Sequence, residues 1–198
     1  MRVLITGTTS GFGKLLHKHY EKNHEVVPLN RPDFDFKDKS FLSKVDDTID
    51  YDLVIINAGT RERRENNNWS TVFDVNFTNQ VHLVEKIKDR IKSKLVFMSS
   101  RSSSMHNLKV RSLDRFEFET LAYKASKAAL NIAMLHYSKK LDIPVISLTP
   151  GHLSDTIRHS DSTVPDDLVT NQLTTFIDSV SMNHTGKLFN YDGSERPF

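Results

Sequence analysis

Residues 1–20 read MRVLITGTTSGFGKLLHKHY. The apolar run at 3–5 is long enough for a buried strand and far too short for a membrane span or a signal-peptide core. Phe12, Leu15, Leu16 and Tyr20 then recur at helical spacing. Between the two lie Gly7, Gly11 and Gly13, with Thr9, Ser10 and Phe12 filling the turn. Strand, glycine turn, helix is a place where backbone N–H groups and the positive end of a helix dipole receive a pyrophosphate, the glycines allowing close approach. The spacing G-x-x-x-G-x-G differs from the G-x-G-x-x-G dinucleotide fingerprint, and a glycine turn can also merely connect a strand to a helix.

Further short apolar runs stand at 25–29, 53–56, 95–98, 145–148 and 187–189, giving six strand candidates with the first. Helical spacing runs through 72–91 and 123–141. Alternating strands and helices predict an α/β fold, a parallel sheet with helices on both faces. Between Leu29 and Leu53, Pro32 and the polar stretch 33–38 break the pattern, and Phe41, Leu42 and Val45 leave room for one short helix. Stretches 60–68 and 101–120 lack a sustained apolar period and are expected to be mobile loops.

A chain of 198 residues and 22.7 kDa fits one domain spanning 1–198. With 37% hydrophobic and 26% charged residues it is a folded protein rather than a disordered or collagen-like one. A formal net charge of +2, with 27 Lys+Arg against 25 Asp+Glu, is too even for a polyanion-coating surface, so nucleic acid is not an expected partner. The absence of cysteine removes disulfides, thiolate metal sites and a cysteine nucleophile. No apolar stretch is long enough for a membrane span, and the expected compartment is the cytoplasm. The nine histidines are scattered, with His17 and His19 two apart on a helix, so no zinc site is expected.

The end of the second strand reads Leu29-Asn30-Arg31. A cation there can hold the 2′-phosphate of NADP, where an NAD site offers a carboxylate; an exposed strand-end arginine can also be simply solvated. Farther on, Tyr123 and Lys127 stand at i and i+4 of a helical stretch, one turn apart on one face. A nearby cation stabilises a phenolate and brings a tyrosine into the working range of an acid–base group. An isolated Tyr-x-x-x-Lys is ordinarily explained by packing and solubility.

This pair is not isolated. The sequence resembles the short-chain dehydrogenase/reductase superfamily, in its compact branch, over nearly the whole chain. TGTTSGFG (6–13) resembles the family's glycine motif, Asp35-Phe36 its adenine-side pair, Asn57-Ala58-Gly59 its NAG motif and Asn76 its helix asparagine. Ser99-Ser100 resembles the serine pair, Tyr123 and Lys127 the catalytic Tyr-x-x-x-Lys, Pro150-Gly151 the following turn, and GKLFNYDGSERPF (186–198) the closing strand and tail. The resemblance implies a Rossmann-type doubly wound sheet and an oxidoreductase with NADP(H) preferred over NAD(H). Tyr123 would donate a proton to a carbonyl oxygen, and Lys127 would lower its pKa and bind the nicotinamide ribose. Ser100 would hydrogen-bond the substrate oxygen, and Asn76 would hold the helix geometry and a relay water. The helix from Tyr123 is apolar over a wide arc, which fits either extra internal packing or the pairing into dimers or tetramers, through this helix and that of Asn76, that the resemblance implies.

The chain departs from the pattern in several places. It is short between Arg31 and Asp35, where a helix and strand would normally stand, and long between Ser100 and Tyr123, where Arg101, Arg111 and Arg115 enter. Ser99 and Ser100 compete for the catalytic position. After Gly151 the usual threonine is displaced, with Ser154 and Thr156 as candidates. Arg61, Arg63, Arg64 and Arg101 follow two strand ends, where they either meet an anionic substrate or cofactor phosphate or are simply solvated. The rival to a carbonyl or alcohol oxidoreductase is a catalytically silent, nucleotide-binding regulatory or scaffold protein. An epimerase or dehydratase shares the chemistry but needs a larger carboxyl-terminal substrate region.

Overall fold

The run at 3–5 grows into β1 (Arg2–Thr6), whose Val3, Leu4 and Ile5 are fully buried. A strand apolar on both faces needs helices on both sides of its sheet. The computed structural model describes residues 1–60, 68–106, 121–151 and 166–198. Its sheet contains β1, β2 (Glu25–Leu29), β3 (Tyr51–Ile56), β4 (Ile91–Met98), β5 (Val145–Thr149), β6 (Leu188–Asn190) and β7 (Glu195–Arg196) in the order β2-β1-β3-β4-β5-β6-β7. Every neighbouring pair is parallel except β6 and β7. All six expected strands are present. β7 is a seventh, whose two residues leave no apolar run to read.

The helices are α1 (Gly11–Tyr20), α2 (Trp69–Phe73), α3 (Asn79–Ile87), α4 (Leu121–Ser138) and α5 (Asp166–Ser179). Side chains of α3 and α4, among them Leu83, Ile87, Leu130 and Met134, pack with Leu4, Val54 and Leu95 on one face of the sheet. Side chains of α1 and α5, among them Leu16, Tyr20, Leu173 and Ile177, pack with Val3, Ile5 and Ile55 on the other. This is the doubly wound, Rossmann-type α/β arrangement. The helix expected over 72–91 begins earlier, at Trp69, and is broken by one π-helical turn at Asp74–Thr78. It also ends earlier, because Ile91 already pairs with Tyr51 as the first residue of β4. α5 was not expected, although Val169, Leu173, Phe176 and Ile177 bury one face of it.

The connection from β2 to β3 holds one 3₁₀ turn, Lys39–Lys44, capped by Asp38, whose carboxylate accepts from the Ser40 N–H at 3.0 Å. Phe36 and Phe41 are buried there with ring centroids 4.5 Å apart. The doubly wound order 3-2-1-4-5-6 has a further strand outside the second. Here, among the described residues, the sheet ends at β2. The short connection after Arg31 supplies no strand outside β2, and the order reversal between β1 and β3 is intact.

Candidate active site

The carboxyl ends of β1, β3, β4 and β5 open into a cleft of about 970 Å³. It lies at the order reversal, where open α/β sheets bind ligands, and near the upper end of the 300–1,000 Å³ of typical small-molecule sites. One wall is the turn Gly7 to Gly13, with Thr9, Ser10, Gly11 and Phe12. A second carries Arg31, Asp35 and Phe36, the floor is Asn57, Ala58 and Gly59, and the far side holds Ser100, Tyr123, Lys127, Pro150 and Gly151. Asn76 is fully buried behind the floor. Arg101 lines the cleft, whereas Arg61, Arg63, Arg64, Arg111, Arg115, Ser154 and Thr156 lie outside the described residues.

The glycines of the first wall have separate reasons to be glycine. Gly7 has φ +71°, and a Cβ on it would stand 2.9 Å from Ala58 Cα. A Cβ on Gly13 would run into the Gly7 carbonyl and stand 2.5 Å from Asn57 Nδ2. A Cβ on Gly11 would meet nothing within 4 Å. Ser10 makes no side-chain cap to α1, and no acidic residue occupies its first turn. An uncapped helix start lined by Gly11, Phe12 and Gly13 suits an anionic group. These residues therefore fit a dinucleotide pyrophosphate.

The floor is held from below by a layer the sequence did not disclose. Thr6 Oγ1 accepts from the N–H groups of Asn57 at 2.9 Å and Ala58 at 2.8 Å. Gln80 Nε2 donates to the carbonyls of Ala58 at 3.2 Å and Val75 at 3.0 Å. Asn57 Nδ2 donates to the carbonyls of Thr6 at 2.9 Å and Gly7 at 3.0 Å, tying β3 to the glycine turn. Asn30 also ties to that turn: its Oδ1 accepts from the Thr8 N–H at 2.6 Å and its Nδ2 donates to Thr8 Oγ1 at 2.7 Å. A buried polar residue at a strand end or inside an apolar helix face is the available sequence signal for Thr6 and Gln80.

On the second wall Arg31 is exposed, and Lys37 lines the cleft beside it. Asp35 Oδ1 accepts from the Lys37 N–H at 3.0 Å, so its carboxylate serves its own turn. Phe36, read as half of an adenine-side pair, lines the cleft but is only 4% exposed and packs tilted against Phe41; its carbonyl accepts from Asn79 Nδ2 at 2.9 Å. With no preceding strand, the pair sits in a turn.

On the far side, α4 presents Tyr123 and Lys127 to the cleft. Lys127 Nζ, buried, donates to the Met98 carbonyl at the end of β4 at 2.8 Å. Asn76 sits in the π-helical turn, where its Nδ2 donates to the Thr60 carbonyl at 2.9 Å and Ser126 Oγ at 3.0 Å, and its Oδ1 accepts from the Thr60 N–H at 2.7 Å. A Cβ on Gly59 would stand 3.3 Å from both Asn76 Oδ1 and Lys127 Nζ, so the two flank one point. Ser100 Oγ accepts from the Ser102 N–H at 3.2 Å, while Ser99 Oγ lies 3.0 Å from Ser103 Oγ. Of the expected loop 101–120, residues 107–120 lie outside the described residues; its first residues form a 3₁₀ turn, Arg101–Ser103, that buries Ser103 and precedes the buried Ser104. Gly151 has φ +82°, with Tyr191 packed where its Cβ would go.

The sequence profile of the NAD dependent epimerase/dehydratase family matches residues 3–198. The chain belongs to this family. It is a protein of short-chain dehydrogenase/reductase type, as its ordered motifs imply. Similar solved structures include the NADPH-bound carbonyl reductase from chicken fatty liver, at TM-score 0.79 and 19% identity over 100% of this chain and 98% of that one. A carbonyl reductase from Pseudomonas aeruginosa aligns at TM-score 0.75 and 17% identity over 100% and 99% of the two chains. The D. melanogaster carbonyl reductase Sniffer aligns at TM-score 0.72 and 18% identity over 100% and 99%. At these identities the likeness establishes the fold. No curated protein sequence matches the chain. Among the described residues of this family member, no cluster of His, Asp or Glu could hold a metal ion, and no helix is long and apolar enough to cross a membrane.

Proposed function

We propose that the protein is an oxidoreductase that moves a hydride between NADP(H) and the carbonyl or hydroxyl carbon of a small molecule. The observation that carries this reading is the convergence of Tyr123, Lys127 and Ser100 on a cleft whose opposite wall is an uncapped helix start. A bound nicotinamide would supply or accept the hydride. The chain's own groups manage the oxygen. Tyr123 donates its hydroxyl proton to the substrate oxygen, and the Lys127 ammonium, one turn along α4, stabilises the resulting phenolate. Ser100 donates a hydrogen bond to the same oxygen, steadying the charge that develops there. The Met98 carbonyl fixes Lys127 Nζ. Asn76 holds Thr60 and Ser126 with both amide protons, and one acceptor lone pair of its Oδ1 is left for a relay water.

Preference for NADP(H) is supported by two cations, Arg31 and Lys37, at the mouth beyond β2, and by Asp35 being turned onto its own backbone. Titrating the protein with NADPH and NADH by nicotinamide fluorescence tests it. Tighter binding of NADPH is expected, reversed preference removes the NADP assignment, and binding of neither leaves the scaffold reading. The family profile favours a second reading, a sugar-nucleotide epimerase or dehydratase. That reading predicts turnover of a nucleotide sugar without net consumption of cofactor.

A further inference from the structure

Tyr123, Lys127 and Asn131 follow one another every four residues on α4, on one stripe of the helix. Tyr123 and Lys127 reach the cleft, whereas Asn131 is one turn deeper and 3% exposed. Its Nδ2 donates to Ser103 Oγ at 2.9 Å. Ser103 Oγ in turn lies 2.6 Å from the Ser100 carbonyl oxygen and 3.0 Å from Ser99 Oγ.

A hydroxyl has one proton to give and two lone pairs to receive with. The 2.6 Å separation between Ser103 Oγ and a carbonyl oxygen requires the Ser103 proton to lie between them, because a carbonyl can only accept. Ser103 therefore receives from its other two neighbours. The group facing it from α4 must be a donor, which Asn131 Nδ2 is, and Ser99 must direct its own proton inward to Ser103. The outcome is a polarised buried chain. Ser99 has spent its proton on the interior, while Ser100 Oγ, which accepts from the Ser102 N–H, keeps its proton for the cleft. Asn131 Oδ1, also buried, accepts no hydrogen bond from the described residues, so among them the amide is held by what it donates.

We infer that Asn131 is a positioning residue that selects Ser100 over Ser99 as the substrate-facing hydroxyl, by fixing the direction of the protons in the Asn131–Ser103–Ser99 chain. This rests on the reading of the cleft as a carbonyl-reducing site. An acceptor in place of Asn131 would draw the Ser103 proton toward α4, free the Ser100 carbonyl and loosen the turn that aims Ser100.

The test is kinetic, using NADPH and 4-nitrobenzaldehyde. Asn131→Asp replaces the amide by a near-isosteric group that only accepts when ionised. It should lower kcat about tenfold at pH 8, leave the NADPH dissociation constant within twofold, and recover on acidification. Burial raises a carboxyl's pKa, and the protonated acid again donates to Ser103. The ionisable groups on the same stripe are Tyr123 and Lys127, so each profile is divided by the parent's. Parent-like kcat, or a loss independent of pH from 5 to 8, overturns the inference. If that variant does not fold, Ser103→Ala removes the hub without burying a charge, and should lose kcat by a similar factor; parent-like kcat overturns the inference. Ser100→Ala should lose at least tenfold more kcat than Ser99→Ala, and the reverse order overturns it. If the parent reduces no aldehyde, the functional reading fails and the chain is read directly instead. Neutron diffraction should show the Ser103 deuteron on the Ser100 carbonyl and the Ser99 deuteron toward Ser103, and a Ser103 deuteron aimed at Asn131 overturns the inference.

Discussion

The two ends of the cleft are built differently. At the far end, Lys127, Asn76, Ser99 and Ser103 are buried and each is tied by hydrogen bonds to a different element, so α4, β4 and the π-helical turn fix one another. At the other end, among the described residues, the sheet stops at β2, and the cations that line the cleft there, Arg31 and Lys37, stand on a short connection. Proton chemistry needs atoms held to a few tenths of an ångström, whereas attraction of a phosphate by cations tolerates movement. Among the described residues the edge strand of the 3-2-1-4-5-6 order is missing on the side that tolerates movement.

Variants that probe the two ends should therefore fail in different ways. Tyr123→Phe should lower kcat about 10³-fold, within the range of removing an acid–base group, and leave NADPH affinity within threefold; steady-state kinetics beside a fluorescence titration checks both. Asn76→Ala removes the hydrogen bonds that the amide makes to the Thr60 N–H and carbonyl groups and to Ser126 Oγ. A hydrogen bond contributes about 0.5–1.5 kcal/mol net, so the loss of these three is expected to lower stability by a few kcal/mol at most in urea unfolding, with a fall in kcat. Gly13→Ala drives a methyl into the Gly7 carbonyl. Overpacking of this kind costs about 1–3 kcal/mol, and here NADPH and NADH affinity should fall together. Arg31→Gln should weaken NADPH about tenfold, equivalent to about 1.4 kcal/mol, and leave NADH and stability unchanged; a fall in kcat at saturating NADPH would break the contrast between the two ends.

The smallest effect concerns the far anchor of α4. The Tyr137 hydroxyl donates to Glu85 Oε1 on α3 at 2.8 Å, and Tyr137→Phe should cost about 1 kcal/mol. The Glu85 carboxyl is held below the usual carboxylate range, by its hydrogen bond from Lys88 first and from Tyr137 second. What Glu85 contributes is complete above that range and disappears as pH falls through the lowered value. Stability measured against pH should accordingly fall less on acidification in Tyr137→Phe than in the parent.

The strand ladder was legible because each parallel strand is an apolar run, and the glycine turn, NAG, the serine pair and Tyr-x-x-x-Lys follow strand ends or share a helix turn. What stayed hidden has physical causes. Thr6, Gln80 and Asn131 act by hydrogen bonds that cross between elements, and no local period announces a partner far away in sequence. β7 is too short for alternation, and the burial of Phe36 against Phe41 is not reported by its motif position, although it also lines the cleft. The π-helical turn around Asn76 has no signature in side-chain spacing, yet it turns that amide toward Thr60 and Ser126.

The most direct measurement is label transfer. The protein is incubated with NADPH deuterated at the nicotinamide C4 position and a panel of aldehydes and ketones, and the alcohols are weighed by mass spectrometry. The account predicts one deuterium on the former carbonyl carbon with the parent and none above background with Tyr123→Phe. Tight binding of NADPH with no label in any alcohol would contradict it.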